Sequence, residues 1–276
     1  MAQVRAAAVF CSLPDGIIDQ VGITLAMIPQ GRMKIEPRVA IAVALLSILA
    51  SYAVFLLPEL ARALAAEDRF FEVGTAICFF LAALILGSTW LKRSGPNDFF
   101  VFETKRNLFL LLLALLFLFG AGEEISWGQR LLGIEVPEAI RDRNVQGELN
   151  IHNLEVFNRT EDGEPKTGVA LLFSIERMFS LFWLSYCFLV PLLGRFWPVF
   201  SGFLGRINLP LVPLWLGVFF PLNYLVAKSV EKLLLVAGKP LAWQVSEVKE
   251  FLFSLLFLIM ALWFRRDAGT HGAARP

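Results

Sequence analysis

Apolar residues fall along the chain in long blocks, separated by shorter stretches rich in charge, glycine or proline. Each block is close to the roughly 20 residues that an α-helix needs to cross a hydrocarbon core about 30 Å thick. The pattern predicts an all-α fold, a polytopic bundle of six transmembrane helices with one long polar loop between spans 3 and 4. The predicted spans are residues 39–57, 70–91, 107 to about 122, 168–193, 209–226 and about 245–264.

Composition places the chain in the membrane class. Hydrophobic residues make up 57% of the 276 residues and charged residues 18%, whereas a soluble domain carries roughly 45–50% apolar and about 25% charged residues. The lipid bilayer is therefore an expected partner. The 25 Lys and Arg residues nearly balance the 24 Asp and Glu residues, so the charge gives no basis for nucleic-acid binding, which needs a positive excess.

The two ends of the chain differ from the six-span membrane domain predicted for residues 39–266. Residues 1–38 form an N-terminal tail whose apolar runs are broken by proline, glycine and aspartate. Met33 opens a short basic leader before the first span, so we expect translation to begin there; the alternative is a disordered cytoplasmic tail. Residues 267–276 are rich in glycine and alanine and are expected to be disordered.

The distribution of Lys and Arg predicts the orientation of the bundle. With six spans both termini lie on one side of the membrane. That side carries the short basic connections at residues 92–106 and around Arg195. Because positive residues in short loops favour the cytoplasm, the termini are expected to be cytoplasmic.

Residues 120–153 carry the candidate chemistry. Glu123 and Glu124 stand side by side at the polar end of the third apolar block, and a polar loop then places His152 between two asparagines. Ionisable residues at the edge of the hydrocarbon are costly unless they are partnered, so they mark a functional site by default. The candidate catalytic residues are Glu123, Glu124, Arg130, His152 and Glu176.

The predicted topology brings many polar residues to one membrane face. The ends of spans 3 and 5 and the starts of spans 2, 4 and 6 all lie on the same side as the long loop. The residues placed at that face are Glu72, Glu123, Glu124, Arg130, His152, Glu176, Arg177, Asn223, Lys228, Glu247 and Glu250.

Helix geometry decides whether the adjacent acids can act together. If the third helix continues through Gln129, Glu124 points about 100° away from Glu123, and the two converge only where the helix bends or ends. Repulsion would then raise the pKa of one carboxyl and leave an acid beside a base. Glu123, Glu124 and His152 would together form a ligand set for a divalent metal with an open position for water.

A purely structural interpretation stays open, in which each charged group only satisfies a neighbour. The pairs would be Glu123 with Arg130, and Glu176 with Arg177 or Lys228. His152 would then merely hold the loop, and Trp127 would be an interfacial anchor. The sequence contains no serine nucleophile elbow, no HExxH motif and no phosphate-binding glycine loop.

At EEISWGQR (residues 123–130) followed by NVQGELNIHN (residues 144–153), the sequence resembles an uncharacterised family of bacterial multi-pass membrane proteins that share this motif pair. The resemblance covers mainly residues 120–157. It implies the bacterial inner membrane as the location and brings no activity with it.

A weaker likeness is to the CAAX-protease-like family of intramembrane metal-dependent peptidases, whose signature is EExxxR with histidines on later helices. Glu123 and Glu124 match the acid pair of that signature, which implies a metal-dependent site. Arg130, however, lies two residues later than the signature requires, and only His152 could serve as a later ligand.

Two functional classes fit these features. The first is a membrane-embedded enzyme, such as a metal-assisted hydrolase or transferase acting on a lipid-linked or peptide substrate. The second is a non-catalytic protein, either a small transporter or a component that binds a membrane-protein partner. Because the acids cluster near one interface and not at the bilayer midplane, the pattern favours an enzyme or a docking role over transport.

Overall fold

The computed structural model describes residues 36–66, 69–92, 106–158, 160–161 and 164–271, with side chains except at 130–131, 160–161, 164–165, 171 and 267–271. These residues belong to one compact unit, Ile35–Pro276. The expectations for residues 1–35, for most of the basic connection at 92–106 and for the last five residues fall outside the described residues.

The described chain is almost entirely helical. The α-helices are α1 (Pro37–Ala53), α2 (Pro58–Leu64), α3 (Phe70–Lys92), α4 (Leu108–Glu124), α5 (Gln129–Leu132), α6 (Glu138–Arg141), α7 (Ile175–Phe182), α8 (Val190–Phe196), α9 (Pro198–Arg206), α10 (Leu214–Gly217), α11 (Phe219–Val236) and α12 (Ala242–His271). Val54–Leu56, Glu155–Phe157 and Gly168–Phe173 form 3-10 helices, Ser126–Gly128 forms a turn with positive φ angles, and Trp183–Leu189 forms a π-helix between α7 and α8. Two short strands, β1 (Thr160–Glu161) and β2 (Glu164–Pro165), pair antiparallel in the long loop.

The all-α class is confirmed, and three helical segments among the described residues are long and apolar enough to cross a membrane. They are Pro37–Leu56, Phe70–Lys92 and Ile175–Phe196, with mean hydropathies of 2.5, 2.1 and 1.5. The first two coincide with the first two predicted spans. The chain is therefore compatible with a membrane protein.

The third predicted span does not end, and the fourth does not begin, at the expected residue. α4 ends at Glu124 and does not continue through Gln129, because residues 126–128 adopt positive φ angles that no right-handed helix contains. The fourth apolar helix begins at Ile175 and not at residue 168, since a 3-10 helix precedes it and ends at the extended Ser174. Glu176 consequently lies in the first turn of α7 and not two turns inside a span.

The last two helices are longer than their predicted spans. α11 continues without a break to Val236, ten residues beyond the predicted end of the fifth span. α12 runs past the arginines at 265 and 266 to His271. Arginine has a high helix propensity, and the Arg266 guanidinium lies 5.1 Å from the ring centroid of Trp263, one turn earlier.

Phe257 on α12 lies at the centre of the aromatic core. It is fully buried, and its ring centroid lies 4.8 Å from that of Phe117 on α4. The other rings within 6.0 Å of it are Phe79, Phe179, Phe182 and Phe220. Because these residues come from α3, α7 and α11, one side chain connects four helices to α12.

A buried polar network holds the helices together near the polar end of α12. Asn223 on α11 is 0% exposed. Its side-chain oxygen accepts a hydrogen bond from the Tyr52 hydroxyl at 2.9 Å, and its amide nitrogen donates to the backbone carbonyl of Lys249 at 3.0 Å. The network therefore fixes α1, α11 and α12 in one register, since a buried amide must keep its partners.

Replacing Phe257 by alanine should lower the free energy of unfolding by about 3–5 kcal/mol, because large-to-small changes in a packed aromatic core leave a cavity. Phe196, which is 74% exposed at the end of α8, is the matched control, and Phe196→Ala should change stability little. The measurement is thermal and denaturant-induced unfolding in detergent micelles. Equal losses for both variants would contradict the central position of Phe257.

Candidate functional site

The chain leaves α4 through a left-handed turn. Ser126, Trp127 and Gly128 have φ angles of 45°, 54° and 79°. A left-handed conformation costs an L-residue roughly 1–2 kcal/mol and costs glycine little. Two successive strained residues persist only where their surroundings hold them, and such strain clusters at functional sites.

The turn folds the Trp127 side chain back along α4. A Cβ atom added to Gly122 would lie 2.8 Å from Cζ3 of Trp127, so the indole rests directly on the glycine backbone. The indole ring also meets the Phe119 ring edge-on, with 5.6 Å between the centroids. From this position its Nε1–H donates to Oε1 of Glu123 at 2.6 Å.

The Glu123 carboxylate accepts hydrogen bonds from the long loop as well. Its Oε2 accepts from the backbone N–H groups of Ile151 and His152, each at 2.7 Å, and lies 3.2 Å from Nδ1 of His152. With Trp127 these make four contacts, and a carboxylate offers about four acceptor positions. The residue as a whole is 5% exposed, so nearly every acceptor position is filled inside the protein.

The contact with Glu123 decides the tautomer of His152. An ionised carboxylate can only accept hydrogen bonds, so Nδ1 of His152 carries the hydrogen and Nε2 of the neutral ring carries the lone pair. The His152 side chain is 33% exposed, while that of Glu123 is 6% exposed. The pair is therefore a buried carboxylate that orients a partly accessible imidazole.

Further hydrogen bonds clamp the loop onto the left-handed turn. The Ser126 hydroxyl donates to Oε2 of Glu148 at 2.5 Å, and Nδ2 of Asn150 donates to the same oxygen at 2.9 Å. The backbone N–H of Leu149 donates to Oε1 of Gln129 at 2.6 Å. The two motifs that stand out in the sequence, EEISWGQR and NVQGELNIHN, thus bind each other directly.

The loop has its own internal support. Oδ1 of Asn144 accepts from the backbone N–H groups of Gln146 and Glu148 at 3.0 and 3.2 Å, and its Nδ2 donates to Oδ1 of Asn150 at 2.9 Å. Asn144 and Asn150 are both buried. The loop therefore presents the Ile151 and His152 amides to Glu123 as a preorganised unit.

Glu124 lies in a different environment from its neighbour. It is half-buried. Burial, followed by the carboxylates of Glu250, Glu247, Glu72 and Glu123, raises its pKa well above the ordinary value. We call Glu72, Glu124, Glu247 and Glu250, which lie on α3, α4 and α12, the acidic cluster. Since its pKa is raised, ionising Glu124 lowers stability as the pH rises above the ordinary pKa of a glutamic acid.

The pKa of Glu123 shifts in the opposite direction. Burial alone raises it, but hydrogen bonds from the His152 side chain, Trp127 and the amides of His152 and Ile151 leave the pKa below its ordinary value. Glu123 therefore contributes stability above the ordinary pKa of a glutamic acid, and this contribution is lost as the pH falls through the lowered pKa.

The structure brings only some of the predicted site residues together. Glu123 and His152 are in contact, whereas Glu124 belongs to the acidic cluster. Glu176 is half-buried on α7 and is not among the hydrogen-bond partners of Glu123. The side chain of Arg130 is not among those described. Sequence reasoning missed the clamp residues Asn144 and Glu148, although a run of polar residues around a glycine in the loop was a visible signal.

The predicted metal ligands do not form a site. Among the described residues, no group of three or more His, Cys, Asp and Glu side chains is placed to hold a metal ion. Glu123 has its acceptor positions filled by N–H donors, and the pKa of Glu124 is raised by burial and by neighbouring carboxylates, not lowered by a cationic or N–H partner. The residues present therefore do not fit the predicted divalent-metal set of Glu123, Glu124 and His152.

Comparison with known proteins adds no relative: no family model, curated protein or solved structure matches the chain. The two resemblances at the motif pair therefore stay expectations.

Neutralising the two adjacent acids should have opposite effects on stability. Glu123→Gln places an NH₂ group where N–H donors point and should cost about 1–3 kcal/mol, the penalty for unsatisfied buried polar groups. Glu124→Gln removes a like charge from the acidic cluster, so stability at pH 7 should be unchanged or higher. Thermal unfolding of both variants in detergent measures this. A lower melting temperature for Glu124→Gln than for Glu123→Gln would contradict the assignment.

A methyl group on Gly122 should release the loop. Gly122→Ala brings Cβ against Trp127, which must leave Glu123, so residues 131–167 should become more sensitive to protease and the protein less stable. Gly120→Ala is the matched control, because its Cβ would lie an ordinary 3.5 Å from Phe79 and alanine favours the helix. Limited proteolysis and thermal unfolding would report the contrast. Identical behaviour of the two variants would refute the packing described for Trp127.

Proposed function

We propose that the chain is a six-span protein of the bacterial inner membrane with both termini in the cytoplasm. Support comes from the three long apolar segments and from α4, which has 17 residues and spans about 25 Å at 1.5 Å per residue. α4 is apolar from Leu108 to Gly122 and packs along α3. The fifth and sixth spans would be α11 and α12.

We infer that the protein is a membrane-embedded enzyme in which His152 acts as a general base and Glu123 orients it. The observation that carries this is the contact between Oε2 of Glu123 and Nδ1 of His152 at 3.2 Å. A carboxylate that fixes the tautomer of a partly accessible imidazole is the arrangement that activates oxygen nucleophiles in hydrolases and transferases.

The chemistry assigned to the pair is general acid–base catalysis. Nε2 of His152 takes the proton from a water molecule or a substrate hydroxyl while that oxygen bonds to the electrophilic carbon or phosphorus of the substrate. The bond to the leaving oxygen breaks, and the imidazolium returns the proton to that oxygen. Glu123 stabilises the imidazolium through Nδ1–H and stays ionised, which agrees with its lowered pKa.

The alternative function is non-catalytic. The acidic cluster lies among α3, α4 and α12, and carboxylates that gather between helices at a membrane face serve ion or proton transfer in transporters. In that case the Glu123–His152 pair would only clamp the loop, and the loop would form a rigid surface for a membrane-protein partner.

His152→Asn separates the two functions. The Asn amide can take the place of Nδ1–H and donate to Glu123, but it lacks Nε2. We expect the variant to fold normally and to lose activity. The measurement is mass spectrometry of lipids and peptides from cells that produce equal amounts of wild type, His152→Asn and the control His271→Asn. If wild type and His152→Asn alter the amounts of the same lipids or peptides to the same extent, His152 is not a base. The docking or transport function is then favoured.

A further inference from the structure

We propose that the Glu123–His152 pair is reached from the bilayer and acts on a membrane lipid, whose polar group it meets at the depth of the headgroups. This proposal rests on the proposed function and names the substrate class of the same site. A soluble peptide would instead approach the pair from water, and exposure of the site to water would favour that substrate.

Glu123 lies on the outer side of α4. At 100° per residue, Glu123 lies within about 40° of Phe119, Leu116 and Leu112 around the helix axis. These three residues are 37%, 44% and 52% exposed, and Leu115 on the same outer side is 53% exposed. The opposite face, with Leu110, Phe117 and other buried residues, packs into the bundle. Glu123 thus projects from the outer face of an apolar helix, where the surrounding medium of a membrane protein is lipid.

The Trp127 side chain covers that carboxylate. Trp127 lies against Gly122 and Phe119, two and five residues before the end of α4, so its ring continues the exposed apolar face. The indole is 46% exposed, yet its N–H is bound to Glu123. A tryptophan with its ring outward and its polar atom satisfied is typical of the membrane–water interface. The pair therefore lies at headgroup depth.

Exposed apolar residues lie close to His152 and Glu123 in the chain. Ile151 gives its backbone N–H to Glu123 and leaves its side chain 43% exposed, and Ile125 at the end of α4 is 41% exposed. Ile151, whose backbone binds the carboxylate, thus turns an apolar side chain outward beside the partly accessible imidazole of the next residue. An apolar approach beside one polar group suits a molecule with acyl chains and a polar head.

Nitroxide accessibility tests the proposal. In a background with Cys11, Cys78 and Cys187 replaced by alanine, single cysteines at Ile125 and Ile151 are spin-labelled and reconstituted into phosphatidylethanolamine–phosphatidylglycerol vesicles. Leu115 on the outer face of α4 is the lipid control, and Val145, 61% exposed in the loop, is the water control. We expect both test sites to collide preferentially with oxygen, as Leu115 does. Preferential collision with a water-soluble nickel complex, as at Val145, would overturn the proposal.

A second measurement keeps the native cysteines. A benzophenone amino acid at Ile151 should crosslink to phospholipid in native membranes and give a lipid-mass adduct, whereas the same residue at Val145 should not. Absence of the adduct at Ile151 would also overturn the proposal. Water exposure at Ile151 together with an inactive His152→Asn rejects the lipid substrate and leaves the general base in place. Lipid exposure with a fully active His152→Asn rejects the catalytic function instead.

Discussion

The junction between α4 and the long loop depends on one requirement: a carboxylate taken out of water must have its acceptor positions filled. Glu123 meets it with the Trp127 indole, two backbone amides and the His152 ring. Each donor imposes a constraint on the chain. The indole requires the left-handed turn and the bare backbone of Gly122, and the amides require the loop to reach back across more than twenty residues to α4.

The same requirement gives two adjacent glutamates opposite properties. Their side chains leave α4 about 100° apart; that of Glu123 binds the loop, while that of Glu124 is influenced by carboxylates on α3 and α12. N–H donors lower the pKa of Glu123 in spite of its burial, whereas burial and like charges raise that of Glu124. One of the pair is therefore a fixed anion suited to orienting a base. The other is a group whose ionisation the bundle opposes.

The hydrophobic pattern alone was enough to predict the all-α class and the positions of the first two long apolar segments, because the length of each apolar block sets the length of the apolar helix. The meeting of Glu123 and His152 was also predictable, since topology places the end of the third helix and the following loop at one face. The left-handed turn was not, because Ser126 and Trp127 have no preference for positive φ and only Gly128 signals it. The polar run around Gly147 signals an ordered loop, but the bonds of Glu148 and Asn150 to Ser126 are tertiary contacts whose partners no local pattern specifies.

The orientation of His152 by Glu123 is tested most directly by nitrogen-15 NMR of histidine-labelled protein in lipid nanodiscs. The chain contains two histidines, so His152→Asn identifies the signals of His152 by their loss. At a pH where the ring is neutral, we expect a protonated Nδ1 and an unprotonated Nε2. In Glu123→Ala, which removes the acceptor, we expect the fraction of the Nε2–H tautomer to increase. An Nε2–H tautomer in the wild-type protein would contradict it, because Nδ1 could then not donate to Glu123.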